Sequence, residues 1–490
     1  MSNRKKILTG ATLLAIGQVA TQCLRFARNV ILARLLTPAD FGVASTFWLT
    51  TGLLATLTQF GVEQMLIRDK DGNSETFGAT AQLFFLLRGA IIGLVIFLLA
   101  DPFMQLLGAP MAANSFRCIG ISSVLAGLVH RDVMRLQREM RFGSSILFQL
   151  VPDLIVTALA WPIAAWCRDY NAFVYFAILQ TALSVVVSHL LAERPFRLGW
   201  HPAVAKKCFD FGWPLLLNAL LMFFALQGDR MVLAQAYTQA ELGIYSVAVG
   251  LALTPSGIIM GTASQLIVPA LAKHQDSPKI FSRHYFVFLC VISAAATTLA
   301  NALVLTGPVL IDIVYGGKYQ LAASVIGVLG FSQAIRLIRV VPTTAALALG
   351  DAKNSLISNL FRLVGLPAAM LVAYGNMPFV WIAATCVLGE ILALIASVAW
   401  VCHRHQIPVF PHFYNLLILV ISYSLASMIP CTTIALAIKH LPWILLLSLV
   451  SPLFCLAPLL YQRWRIFKNS TKTIQSESDP IHHLHGDSLA

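Results

Sequence analysis

Apolar stretches long enough to cross a bilayer alternate with short polar breaks about fourteen times along this chain. A hydrocarbon core of roughly 30 Å needs about 20 apolar residues in helical form. The pattern predicts membrane-spanning helices near residues 9–31, 42–63, 78–100, 113–130, 143–166, 171–192, 212–235, 243–268, 285–306, 320–345, 354–374, 378–401, 412–430 and 441–461. The fold class this implies is all-α, a polytopic membrane protein of about 14 transmembrane helices. Of 490 residues, 58% are hydrophobic and 11% charged, and no break is long enough for a separate aqueous domain. Function is therefore expected inside the membrane.

Charge orients the bundle. Counting from Arg4, Lys5 and Lys6, alternate breaks hold 22 Lys and Arg, whereas the other breaks hold only Arg34, Arg168, Lys318 and Lys439. Basic loops resist translocation, so both termini are expected in the cytoplasm and the number of spans is expected to be even. The net charge of +13 is then explained by this orientation signal and by attraction to anionic lipid heads, with no nucleic acid as partner. The first span carries Arg25 and Arg28 and lacks a small-residue cleavage site, which marks a retained helix. The nine cysteines are scattered and mostly within spans, the usage of small packing residues.

One internal similarity organises the chain. Val30 to Ser45 reads VILARLLTPADFGVAS and Met231 to Ser246 reads MVLAQAYTQAELGIYS. Leu32/Leu233, Ala33/Ala234, Thr37/Thr238, Ala39/Ala240, Gly42/Gly243 and Ser45/Ser246 are identical, and Asp40 answers Glu241. The copies lie six spans apart, which implies a parallel repeat, with two pseudo-symmetric six-helix lobes around a central cavity. The other reading is local: any corner between two spans favours a small residue and an acidic helix cap. The expected domains are an N-terminal lobe at 1–200, a C-terminal lobe at 201–405, two additional spans at 406–466 and a disordered cytoplasmic tail at 467–490. His482, His483 and His485 fall in that polar tail and read as solvated residues, not a metal site.

Enzymatic chemistry is not expected. Gly316-Gly317-Lys318-Tyr319 lacks the Ser or Thr and the earlier glycine of a phosphate-cradling loop. There is no His-Glu-x-x-His and no Cys-x-x-Cys, so neither cofactor nor metal is expected.

The candidate chemistry is charge within the spans. Arg25, Arg28, Arg88, Arg117, Arg230, Arg336, Arg339 and Arg362 fall there, against Asp153, Asp229 and Glu390. A charge at the bilayer centre costs at least about 2.5 kcal/mol, so these groups should face protein or water. All eight cations are arginine, whose planar fork holds phosphate or carboxylate oxygens in pairs, and the cationic excess points to an anion. Snorkelling to the head groups is the competing account for Arg28, Arg117, Arg230 and Arg339, and less so for the deeper Arg25, Arg88, Arg336 and Arg362. Asp153, Asp229 and Glu390 are expected either to pair with arginine or to couple transport to ions. Pro152, Pro162, Pro255, Pro342 and Pro367 are expected to kink their helices.

The segments ILARLLTPADFG (31–42), GDRMVLAQAYTQAELGIYSVA (228–248) and LQREMRF (136–142) resemble the polysaccharide transporter family of oligosaccharide flippases, within the multidrug/oligosaccharidyl-lipid/polysaccharide exporter superfamily. The resemblance covers nearly the whole chain up to the tail. It implies two six-helix bundles around a cavity, sometimes with two extra carboxyl-terminal helices. It implies alternating-access transfer of polyprenyl-pyrophosphate oligosaccharides across the bacterial inner membrane for exopolysaccharide, capsule or O-antigen assembly. The implied partners are that lipid-linked substrate and membrane lipids, with a polysaccharide polymerase and export machinery as candidate protein partners. It extends a general role in anion contact to Arg25, Arg28 and Arg230, while Arg88, Arg336 and Arg362 rest on burial alone. Gln235 stands where the first copy has Arg34, which breaks the symmetry of any contact there. The rivals are a drug/cation antiporter, which would want an acidic cavity, a membrane polymerase or ligase, which would want a long outer loop, and a scaffold, which would have every buried arginine paired.

Overall fold

A backbone in hydrocarbon finds no water, so each apolar stretch must satisfy its own amides, and helices are the local solution. The computed structural model describes residues 3–429 and 450–459, except Asp69, Met140, Gln406 and Val409. Its elements, among the described residues, are all helical. They begin with α1 (Asn3–Leu35), α2 (Pro38–Leu57), α3 (Val62–Arg68), α4 (Glu75–Leu106), α5 (Ala113–Gly127), α6 (Asp132–Arg138), α7 (Phe142–Ala158), α8 (Ala160–Cys167) and α9 (Asn171–Leu191). The chain continues through α10 (Pro202–Ala236), α11 (Gln239–Ala272), α12 (Pro278–Tyr315), α13 (Ala323–Ala348), α14 (Lys353–Arg362), α15 (Gly365–Tyr374), α16 (Val380–His405), α17 (Phe410–Ser427) and α18 (Val450–Leu459).

Among the described residues nine helices are long and apolar enough to cross a membrane, or up to eleven if each bent pair is one span. α1 and α2 are not among the nine, although they occupy the first two expected positions. For α2 polarity is the reason, since it carries Asp40, Thr46, Thr50 and Thr51. α7 and α8 meet at 46°, at Leu159, three residues before Pro162, and α5 and α6 meet at 51°. Pro152, Pro255 and Pro342 lie inside assigned helices. The expected span at 441–461 and the tail with its three histidines lie mostly or wholly outside the described residues.

Helices α1, α4, α5, α7 and α9 pack on one another, as do α11, α12, α13, α14 and α16, with α17 added against α12. The two sets join chiefly through α2 with α11 and through α10 with α2. Turns alternate between the two ends of the bundle. One end, here the corner end, gathers residues 34–40, 107, 170, 237–239, 313–318 and 377: Gln239 donates to the Leu107 carbonyl (2.7 Å), Asp40 accepts from Tyr170 N (3.1 Å) and the Tyr237 hydroxyl donates to the Met377 carbonyl (2.7 Å). The opposite, loop end carries α3 and α6. There Arg135 binds Asp132 (2.5 Å) and Glu193 (3.1 Å), and Arg141 also binds Glu193 (2.5 Å), so the 136–142 motif is fixed to the segment after α9.

Asp351, in the loop-end turn before α14, ties that turn to the end of α16. It accepts from Trp400 Nε1 (2.8 Å), Lys353 N (3.1 Å) and His405 Nε2 (3.3 Å), with Arg404 at 3.4 Å. Burial disfavours its charge, but these donors outweigh burial and hold the carboxyl below the usual aspartate range. The unfolded chain titrates near about pH 4, so this contribution to stability is complete above that pH and is lost as pH falls through the lower folded value. Asp351→Asn is expected to flatten the acid-side fall in melting temperature, and an unchanged fall would contradict the assignment.

Candidate functional site

Both copies of the internal repeat form capping boxes. Thr37 Oγ1 accepts from Asp40 N (3.2 Å) while Asp40 Oδ2 accepts from Thr37 N (3.0 Å). Thr238 Oγ1 likewise accepts from Glu241 N (3.3 Å) while Glu241 Oε2 accepts from Thr238 N (3.0 Å). Local capping thus accounts for the acids, but it does not account for the glycines. The two corners lie against each other: a Cβ on Gly42 would stand 1.8 Å from the Gln239 carbonyl oxygen, and one on Gly243 would stand 1.9 Å from that of Pro38. The glycine hydrogens thus point at backbone oxygens, the arrangement of a Cα–H···O contact. Ser45 Oγ donates to Ser246 Oγ (2.9 Å) one turn further in.

Two basic residues brace this closure. Arg34 donates to the Val314 carbonyl (2.9 Å) and to that of Ile313, at the end of α12. Lys318 donates to the Arg34 (2.8 Å) and Leu36 (2.5 Å) carbonyls at the end of α1. Each cation meets the negative end of a helix dipole across the contact. Arg34 and Lys318 are two of the four basic residues in the charge-poor breaks, a signal the sequence reading used only for orientation.

Beneath the closed corners lies a chamber in two adjoining parts that share lining residues. The part nearer the corners, about 220 Å³, is lined by residues including Asn29, Trp48, Phe173, Arg230 and Tyr315. The second, about 380 Å³, is lined by α1, α7 and α11 and includes Gln18, Gln149 and Gln265. Gln22, Arg25 and Thr254 belong to both, so Arg25 stands where the parts meet. Gln18, Gln22, Arg25 and Asn29 recur at helical spacing and form one stripe on α1. That stripe was visible in the sequence, but a survey of charged residues alone passes over it. Among the described residues no Asp or Glu lines either part.

The structure sorts the candidate arginines. Arg25 Nε and Nη2 both meet Asp153 Oδ2 at 3.0 Å, and its side chain is still 49% exposed to the chamber. Arg28 is mostly buried, holding Asp153 Oδ1 (3.5 Å) and Gln180 (3.2 Å). Asp153 is fully buried, so one carboxylate balances two guanidinium groups. Arg230, from the other half of the chain, faces the same cavity as Arg25, donates to Gln227 (3.1 Å) and leaves its buried Nε unpartnered.

Arg88 is placed elsewhere. It donates to the Ala55 carbonyl (2.8 Å) and Thr58 Oγ1 (3.0 Å), capping the C-terminus of α2, and it lines neither part of the chamber. Arg339 and Arg362 hold buried Glu390 at 3.2 and 2.8 Å, and Arg339 also reaches Ser358 (3.0 Å). Arg336 lies in the same electrostatic cluster but makes no hydrogen bond to any described residue. Neither Arg336 nor Arg362 lines the chamber. Asp229 accepts from the Tyr245 hydroxyl (2.7 Å) and, with Arg362 and Cys386, borders a separate small cavity. Arg117 meets Asp101 and Asn114 near the corner end, as snorkelling would have it. The sequence brought these arginines forward as one group, whereas the structure brings only Arg25 and Arg230 to the chamber.

This is a multi-pass helical membrane protein with a cationic chamber closed at one end, the architecture of a membrane carrier. The chain belongs to the polysaccharide biosynthesis protein family, whose model matches residues 31–324. It is 23% identical over 349 residues to lipopolysaccharide biosynthesis protein WzxC of Escherichia coli K12, covering 69% of this chain and 68% of that one. To succinoglycan biosynthesis transport protein ExoT of Rhizobium meliloti it is 23% identical over 415 residues, 77% of this chain and 81% of the relative. Its fold matches lipid II flippase MurJ in an inward closed conformation with a TM-score of 0.73 at 12% identity, over 92% of this chain and 99% of that one. An inward-facing multidrug resistance MATE family transporter of the MOP superfamily matches at 0.64 and 14% identity, over 80% and 98%.

Proposed function

We propose that this protein is a flippase that carries polyprenyl-diphosphate-linked oligosaccharides across the bacterial inner membrane for polysaccharide assembly, and that Arg25 and Arg230 contact the diphosphate. It is a transporter, not an enzyme. The observation that carries the reading is the chamber's charge: arginines from both halves of the chain face it, and no acid among the described residues does. A diphosphate leaving water loses its hydration, and guanidinium groups replace those hydrogen bonds. A drug/cation antiporter would need carboxylates, and among the described residues none lines this chamber. A scaffold would have its buried arginines fully paired, whereas the buried Nε of Arg230 has no partner among the described residues.

Residues 1–200 and 201–405 are the two lobes of this machine, 406–466 supply two additional spans, and the 22-to-4 basic split puts both termini in the cytoplasm. The closed corner end then faces the periplasm. Alternating access breaks the α2–α11 contact after the loop end has closed. The delivered substrate passes to a polymerase and export machinery. Asp153 and Glu390 act as counter-ions of arginines. Purified protein in liposomes, given a lipid-linked oligosaccharide on one side, is expected to expose the sugar to a membrane-impermeant probe on the other. Liposomes with protein that expose no more sugar than empty ones would refute this reading.

A further inference from the structure

Four glutamines line the chamber without any use by the protein itself. Gln82, Gln180, Gln227, Gln239 and Gln333 are all hydrogen-bonded to described residues. Gln18, Gln22, Gln149 and Gln265, by contrast, have no hydrogen-bond partner among the described residues, and all four line the second part of the chamber. They come from three helices, α1, α7 and α11, so their convergence is a property of the fold and not of one helix face. Thr254 and Thr262 add hydroxyls whose protons go to the Gly250 and Ile258 carbonyls, so their oxygens can only accept from a ligand. Thr21 Oγ1, in a residue 5% exposed, is buried on the same wall with no partner. Among the described residues the sole charged one on this wall is Arg25.

An amide both donates and accepts, and so does each hydroxyl of a sugar ring, so convergent unpaired amides suit a polyhydroxylated ligand. Such a wall does not suit a second anion, because a carboxylate here would find only Arg25, already shared with Asp153. Gln18 precedes Arg25 by two turns of α1, about 10 Å toward the loop end. We propose that this wall is the subsite for the sugar joined directly to the diphosphate, and that this sugar is neutral. The proposal rests on the flippase reading above and specifies which class of glycan enters first.

Purified protein in nanodiscs is titrated with farnesyl diphosphate, with its glucose, galactose and N-acetylglucosamine conjugates, and with its glucuronic acid conjugate. The best neutral conjugate is expected to bind about tenfold more tightly than farnesyl diphosphate, the return from one or two net hydrogen bonds. The glucuronate is expected to gain nothing. Gln18→Ala/Gln265→Ala should remove the gain while binding of farnesyl diphosphate, which reports the folded chamber, stays unchanged, because both glutamines line the second part alone. Equal affinity for farnesyl diphosphate and every neutral conjugate, a gain that survives in the double variant, or a larger gain with glucuronate would overturn the proposal while leaving the flippase reading in place. Failure of farnesyl diphosphate itself to bind would contradict that reading, and the subsite with it.

Discussion

Alanine at Gly42 is expected to open the corner end. Its Cβ would lie 1.8 Å from the Gln239 carbonyl oxygen and 2.6 Å from the carbonyl carbon, both backbone atoms that no rotamer change can move. α2 and α11 must separate, and Arg34 and Lys318 then lose the helix ends they cap across the contact. Overpacking of this kind costs about 1–3 kcal/mol, so the closed-to-open ratio should fall by about 5- to 150-fold. Ser45 and Ser246 supply the readout, because their hydroxyls touch at 2.9 Å. With native cysteines replaced, Ser45→Cys/Ser246→Cys should cross-link readily, and adding Gly42→Ala should suppress the product. Gly243→Ala should act alike, since it meets Pro38 in the same way. Undiminished cross-linking would mean that the glycine contact does not hold this end shut.

Glu390→Gln is expected to have the largest effect on stability. The carboxylate is 1% exposed, with Arg339 and Arg362 bound to it and Arg336 nearby. Removing one partner of a buried ion pair costs about 3–5 kcal/mol because the remaining charge stays buried. Asp153→Asn should cost less, since Arg25 already reaches the chamber and can hydrate there. Thermal unfolding in detergent should therefore rank parent above Asp153→Asn above Glu390→Gln. Adding Arg339→Met to Glu390→Gln should restore part of the loss. A Glu390→Gln protein as stable as the parent would remove the network from the account of the fold.

The helices were legible because length and apolarity alone place them. α2 falls short on apolarity, and for a functional reason: polar α2 carries the glycine of the closure. The repeat at 30–45 and 231–246 was legible too, but its meaning was not. Nothing in a linear string says that Gly42 abuts Gln239, or that Arg34 caps α12. Depth along a helix likewise misjudged Arg88, because a neighbouring helix can end at any depth and offer its carbonyls, as α2 does at Ala55 and Thr58. The partners of Arg25 and Arg339 lie 128 and 51 residues away, beyond any spacing rule. What the sequence did contain, and a search for charge overlooked, is the amide stripe on α1.

The central claim is that Arg25 and Arg230 stand in for water around a travelling diphosphate. The most direct test is the flipping rate of Arg25→Gln/Arg230→Gln in liposomes, against parent protein reconstituted in equal amount. Two charge-assisted hydrogen-bonding groups at about 1.5–3 kcal/mol each predict a fall of at least about a hundredfold. A double variant that folds and flips at the parental rate would contradict the account.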